Sequence, residues 1–372
     1  MHGPTPLRTL ALALALTLVV APAAAEEFQE TFTFDAGTLS VSNLIGEVTI
    51  EGHDGRGFEV VADVRGADAS RDEISFDVDH GRRAALDVVF PDEDRFVYPE
   101  LGRGSQVRLG NGGGGWNLFG GGGLEIRGSG RGLELWVDLT IRVPADGELV
   151  VRHGAGRIEA HDATAHLDLA VRSGQAVATR ITGDVEIDTG SGHVEVDTIV
   201  GNLRVDTGSG HVDAVNVEGE RMLLDTGSGH VSLTDARGDH LESATGSGRV
   251  EMSDGAFTSI SIDTGSGSVE CDTIEADDLL IDTGSGSVRV ELVRMGTGDF
   301  SIDTGSGSIR FMMPLPASAS VWAETSSGGI DVDVDGADMR RDERDEVEFT
   351  VGDGTARVQL ETGSGSIRVA AR

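Results

Sequence analysis

Apolar and polar residues alternate with a period of two on either side of a recurring Gly-Ser-Gly step. Leu279 and Ile281 precede one such step and Val288 and Val290 follow it, with Leu280, Asp282 and Arg289 between them. Side chains two residues apart share one face of a β-strand, so each step reads as a turn between two short strands with one apolar face. The pattern returns at Leu203, Val205, Val212 and Ala214, at Ile260, Ile262, Val269 and Cys271, and at Phe300, Ile302, Ile309 and Phe311. A further apolar position follows three residues on, at Ile199, Val217, Ile274 and Val293, and Gly201, Gly219 and Gly238 close their units.

The turn sequence repeats at a near-constant interval. Asp-Thr-Gly-Ser-Gly begins at Asp188, Asp206, Asp225, Asp263, Asp282 and Asp303, and copies lacking the aspartate begin at Thr245 and Thr362. From Thr189 the steps to Thr207, Thr226, Thr245, Thr264 and Thr283 are 18, 19, 19, 19 and 19 residues. A fixed short period marks a stacked-repeat architecture. One unit buries too few apolar side chains to offset its own chain entropy, so units must stack, each strand bonding to its equivalents above and below. The expected fold is all-β: a single-stranded β-solenoid (β-helix) of 18–21-residue coils over residues 144–372, behind an irregular β cap.

That cap spans 26–143, where alternation persists less regularly at 31–34, 39–41, 47–50, 58–64, 74–78 and 86–90. It would keep the first coil's open edge from pairing with other chains. Val41-Ser42-Asn43-Leu44-Ile45-Gly46-Glu47-Val48 reads as a degenerate first copy of the repeat. Residues 91–130, with glycine runs at 110–115 and 120–123, read as a flexible surface loop. At the far end, the strand holding Ile367 and Val369 stops just short of Arg372, which predicts a bare last coil open to self-association or to a partner. Residues 1–25 read as a secretory signal, with Arg8 at its positive end, an apolar stretch over 10–20 and Ala23-Ala24-Ala25 before the cleavage point. The mature product is therefore expected to be exported, whether periplasmic, cell-surface or secreted, with no integral membrane segment after cleavage.

Composition narrows the partners. The chain has 64 acidic against 29 basic residues, all of the latter arginine, for a net charge of −35, which argues against nucleic acid. Cys271 is the single cysteine, so no intramolecular disulfide forms, and its place in the inward stripe marks it as a buried structural thiol.

An export signal, Val41-Ser42-Asn43 followed by Gly46 and Val48, Val143-Pro144 followed by Gly147 and Leu149, and the repeated Asp-Thr-Gly-Ser-Gly together resemble the bacterial toast-rack family. Its members are β-strand-repeat proteins, mostly uncharacterised and often described as candidate adhesins. The resemblance implies a cell-envelope or surface setting, sometimes tied to stress-sensing membrane systems, and no enzyme activity.

Candidate chemistry is sparse. Asp-Thr-Gly-Ser also occurs in aspartic proteases, but those need one converging pair of carboxylates, whereas a fixed period lays the copies out in a row. Each aspartate is instead expected to accept hydrogen bonds from N–H groups of its own turn. In a row spaced by one strand, neighbouring carboxylates repel by about 0.9 kcal/mol in water. Calcium shared between Asp188, Asp206, Asp225, Asp263, Asp282 and Asp303 would relieve that. His193, His211 and His230 follow the second glycine in consecutive copies and form a candidate zinc site, with a solvated polar ladder as the favoured alternative. No cofactor is expected beyond such a calcium or zinc ion. Tyr98, Trp116, Phe119 and Trp136 are the best candidates for a ligand patch, with core filling as the simpler role. A polysaccharide-acting enzyme would need an unrepeated acid–base cluster in a groove, which the pattern does not offer. The expected function is an exported, non-enzymatic, adhesin-like or cell-envelope interaction module whose partner is an envelope or extracellular protein or glycan. The alternative is a periplasmic sensor or scaffold of an envelope-stress system.

Overall fold

The computed structural model describes residues 26–110 and 123–371, so the expected signal segment lies outside the described residues. Within them, 25 strands join one sheet and three form a second. Among the described residues a single turn of 3-10 helix, Pro99–Leu101, interrupts the strands, and no helix is long and apolar enough to cross a membrane.

Equivalent residues of successive repeats lie side by side. Val185–Ser191 is parallel to Leu203–Thr207, which is parallel to Arg221–Ser228, with Asp188 opposite Asp206 and Asp206 opposite Asp225. Beyond the turn, Val194–Val200 is parallel to Val212–Glu218, with Val194 opposite Val212. Stacking repeats in this register aligns the inward stripes, so Leu279, Ile281, Val288 and Val290 all fall in one continuous apolar core while Leu280 points out. Cys271 is fully buried there, and loss of solvation pushes its thiol up to about 12. It is inert as a nucleophile.

The three-residue spacing has a backbone cause. Asp162, Arg180, Thr198, Asn216, Asp235, Asp254 and Thr273 form a column with φ between 53° and 61°. One left-handed residue breaks the pleat, so that Val196 and Ile199, three apart, both face the core. The strand Val288–Met295 has no such residue, its pleat runs on, and Leu292 turns inward while Val293 is left exposed, contrary to the sequence expectation. The accompanying shift in pairing sets Ile274 opposite Leu292.

The N-terminal copy is in register with the repeats. Thr38–His53 lies parallel to the long strand Gly147–Thr182, with Asn43 opposite His153 and Gly46 opposite Gly156. Arg83–Val89 and Trp136–Pro144 then pair parallel to Thr38–His53. Past them the direction reverses: Ser75–Asp79 runs antiparallel on Arg83–Val89, Phe58–Arg65 on Trp136–Pro144, and Phe28–Phe34 on Phe58–Arg65. Phe32 and Phe76, with ring centroids 5.0 Å apart, join the two outermost strands.

Residues 91–110 and 123–130 differ from the expected loop, whose glycine-rich middle, 111–122, lies outside the described residues. Arg95–Val97, Gln106–Leu109 and Leu124–Arg127 form the small second sheet, and Phe96, Tyr98, Leu109, Leu124 and Ile126 bury against Leu44, Ile45 and Ala155. Glu125 draws Arg95 and Arg127 to 3.1 and 2.9 Å across this sheet.

The C-terminal end also departs from sequence order. Ala356–Thr362 lies between Asp299–Thr304 and Ala319–Thr325, and Ile367–Ala371 lies between Ile309–Met313 and Ile330–Asp333. The last strands of the sequence are thus an internal rung, and the bare terminal coil expected near Ile367 and Val369 is not there. Ala319–Thr325 is covered on its outer edge by Glu346–Val351, itself covered by Asp338–Asp342, both antiparallel. Ile330–Asp333 pairs only with Ile367–Ala371 among the described strands.

Candidate functional site

The repeated turn builds three side-chain columns from adjacent positions. Threonines 189, 207, 226, 245, 264, 283, 304, 362 and 325 stand in register and are all buried. Several of their hydroxyls satisfy the corner from within: Thr283 Oγ1 donates to Gly267 O at 3.2 Å, Thr304 to Gly286 O at 3.0 Å and Thr362 to Gly307 O at 2.9 Å. Each of these bonds reaches from one rung to the second glycine of its neighbour. Thr189 and Thr207 instead bond each other at 2.9 Å, and the Thr245 and Thr264 hydroxyls find no partner among the described residues. The threonine, rather than the aspartate, is the side chain that ties the turn.

The aspartates do form a row, with Ala244 filling the one gap and Glu361 and Glu324 continuing it. They do not accept from their own turn N–H groups, which are engaged between rungs: Gly208 N–H donates to Thr189 O and Gly210 N–H to Ser228 O. Partial burial first, and then neighbouring carboxylates, hold Asp188, Asp225 and Asp303 above the usual carboxylate range, while Arg152 and Arg172 pull Asp188 back down. An acid with a raised folded pKa adds stability below its ordinary pKa and loses it as pH rises through the folded value. These three carboxylates therefore cost stability at neutral pH. Among the described residues no group of three or more His, Cys, Asp or Glu could hold a metal ion.

The histidines also stack, but around no common point. Ring centroids are 6.5 Å apart for His193 and His211 and 6.3 Å for His211 and His230, each pair edge-on. A zinc ion holds nitrogens at about 2.0 Å, so three ligands must converge, whereas the outer two rings sit two rungs apart, on the order of 10 Å. Each ring has its own partner instead. His193 Nε2 lies 3.4 Å from Asp213 Oδ2, His230 Nε2 lies 3.3 Å from Glu251 Oε2, and His211 Nδ1 accepts the backbone N–H of His230 at 3.2 Å. A zinc site shared by all three is not formed.

Of the aromatic patch, Trp116 and Phe119 lie outside the described residues. Tyr98 is buried, its ring centroid 5.7 Å from that of half-buried Trp136. Burial, helped by Asp138, Glu47 and Glu100, pushes the Tyr98 hydroxyl far up, so it stays protonated. Tyr98, without Trp136, lines an open groove of about 540 Å³ that also touches Glu47, Arg157 and Gln175.

A larger open groove, about 750 Å³, runs along one long face. Its floor is the in-register row Asp168, Glu186, Arg204 and Leu223, and its wall is a second ladder at the closing corner. There each side chain accepts the backbone N–H one rung on: His166 Nδ1 from Asp184 at 3.2 Å, Asp184 Oδ1 from Asn202 at 2.9 Å, and Asn202 Oδ1 from Arg221 at 2.9 Å. Polar side chains here are held by neighbouring rungs, giving a fixed surface rather than a flexible fringe. Sequence periodicity did not single out this face, because its residues change identity from rung to rung.

The family model described as Toastrack DUF4097 matches residues 137–370, which takes in every aspartate, threonine and histidine of the three columns. The chain belongs to the Toastrack DUF4097 family. The toast-rack match begins within Trp136–Pro144 and leaves the antiparallel strands Phe28–Phe34, Phe58–Arg65 and Ser75–Asp79 outside. Among solved structures, one described as a "putative cell adhesion protein" from Clostridium sporogenes aligns with 93% of this toast-rack chain and 100% of its own, at 12% identity and a TM-score of 0.18. Superposition that poor carries no argument about fold or site. No curated protein matches.

Proposed function

We propose that this toast-rack chain is an exported, non-enzymatic interaction module of the cell envelope, adhesin-like in using long repeated faces to bind. The 750 Å³ groove carries the reading: its floor and wall are built rung by rung, without a converging acid–base set, and their polar groups are fixed by the next rung. A surface of that kind suits an extended protein or glycan contacted at many equivalent points. On this reading residues 26–143 serve as the cap, and the 18–21-residue coils of 144–372 carry the binding faces.

The test is to treat intact cells with a protease that cannot enter them, with lysed cells as control. Cleavage of the mature chain on intact cells is expected. Protection until lysis would move the chain inside the envelope and replace the adhesin-like reading with a periplasmic sensor or scaffold.

A further inference from the structure

The two ends of the main sheet are finished differently. At the N-terminal end, both halves of the first rung meet further strands that reverse direction. At the other end only the half formed by Ala319–Thr325 is covered, and Ile330–Asp333 keeps an open edge among the described residues. Ile367 N–H donates to Gly329 O at 3.0 Å, so by strand alternation the Asp331 and Asp333 backbone groups also face the inner neighbour. The N–H and C=O of Ile330 and Val332 then face outward, unpaired by any ladder.

Side chains add a chemical preference to that edge. Ile330, Val332 and Val334 are half-buried at the end of the apolar core. Asp331 and Asp333 project from the other face, 68% and 73% exposed, and share a single arginine, Arg368, at 3.6 and 3.5 Å. An incoming strand that continues the core must place its outward residues beside these carboxylates. A second copy pairing through the same edge, with its apolar side chains kept inward, sets Asp against Asp, which like-charge repulsion disfavours.

We infer that Ile330–Asp333 is a strand-acceptor site for an extended protein segment in which apolar residues alternate with Lys or Arg. Main-chain bonds to Ile330 and Val332 supply attachment, and Asp331 and Asp333 select the charge. This rests on the reading of the chain as an interaction module and adds to it one place and one partner chemistry.

The probe is a short labelled peptide of alternating Val and Lys, titrated against the full mature chain, with a Val/Glu peptide of equal length as control. Saturable binding of the Val/Lys peptide and none of the control are expected. Val332→Pro removes an outward N–H without touching the inner ladder or the net charge, and should weaken binding about tenfold or more. Asp331→Lys combined with Asp333→Lys should do the same, and it carries the test if the proline variant melts early. Equal affinity for all variants would overturn the proposal, since bulk attraction to a chain of net charge −35 would then explain binding. A concentration-dependent dimer in sedimentation that disappears in Val332→Pro would also overturn it, giving the edge to a second copy. Surface cleavage on intact cells together with no peptide binding would sink this inference alone and leave the broader function standing.

Discussion

His153 stands where later rungs carry threonine, fully buried, with Nε2 2.8 Å from Gly46 O and Nδ1 3.2 Å from Asn43 O. A neutral ring has one N–H for these two carbonyls, while a protonated ring would serve both. Desolvation outweighs that gain and pushes the imidazole down to about 4. The unfolded chain, with an ordinary pKa near 6.5, binds the proton first as pH falls. The stability that His153 contributes is thus intact above about 6.5 and lost as pH drops towards 4, by about 3 kcal/mol. His153→Thr, which restores the residue of the later rungs, should flatten the fall in melting temperature across that window relative to the wild type. At this scale the sequence favoured the wrong residue of the repeat. Asp188 and its copies drew attention by their charge, yet the threonine continues the inward parity of Leu279 and Ile281 to Thr283, and that parity was the available signal.

The Gly-Ser-Gly corner stacks backbone on backbone. A Cβ at Gly192 would lie 1.7 Å from Gly174 O, and its φ of 150° is one that side chains rarely adopt. Gly192→Ala should therefore cost about 3 kcal/mol or more in urea unfolding, whereas Gly37→Ala, with open space around it, should change stability by less than about 1 kcal/mol. Turns and paired strands were legible because glycine punctuation and period-two alternation coincide there. The left-handed corner was not, since Arg180, Thr198 and Thr273 carry no compositional mark of that conformation, although Asn216 and the aspartates do. The small sheet escaped notice for a different reason. Its strands Arg95–Val97, Gln106–Leu109 and Leu124–Arg127 are too short for alternation to show, and the glycines between them resemble a linker.

Across the whole molecule, the stacking of repeats and their core were readable, but the order of rungs near the C-terminus was not. The lengthened steps around Pro314 and Pro316 gave no sign that Ala356–Thr362 and Ile367–Ala371 return to fill a place already flanked on both sides. A chain ended before Ala356 would lose an interior rung, leaving Asp299–Thr304 and Ala319–Thr325 without the strand that joins them. Limited proteolysis of that truncated chain should cut throughout 319–351 while the rungs before Phe300 stay resistant. Survival of the 319–351 segment would contradict the pairing described. The same inserted rung bears on the timing of synthesis. A ribosome builds from the N-terminus, so earlier rungs can form in order as they emerge, but Ala319–Thr325 must wait, on the order of seconds, for Ala356–Thr362 to be added. The far end of the stack therefore closes out of sequence order, only after residues 356–371 have been made.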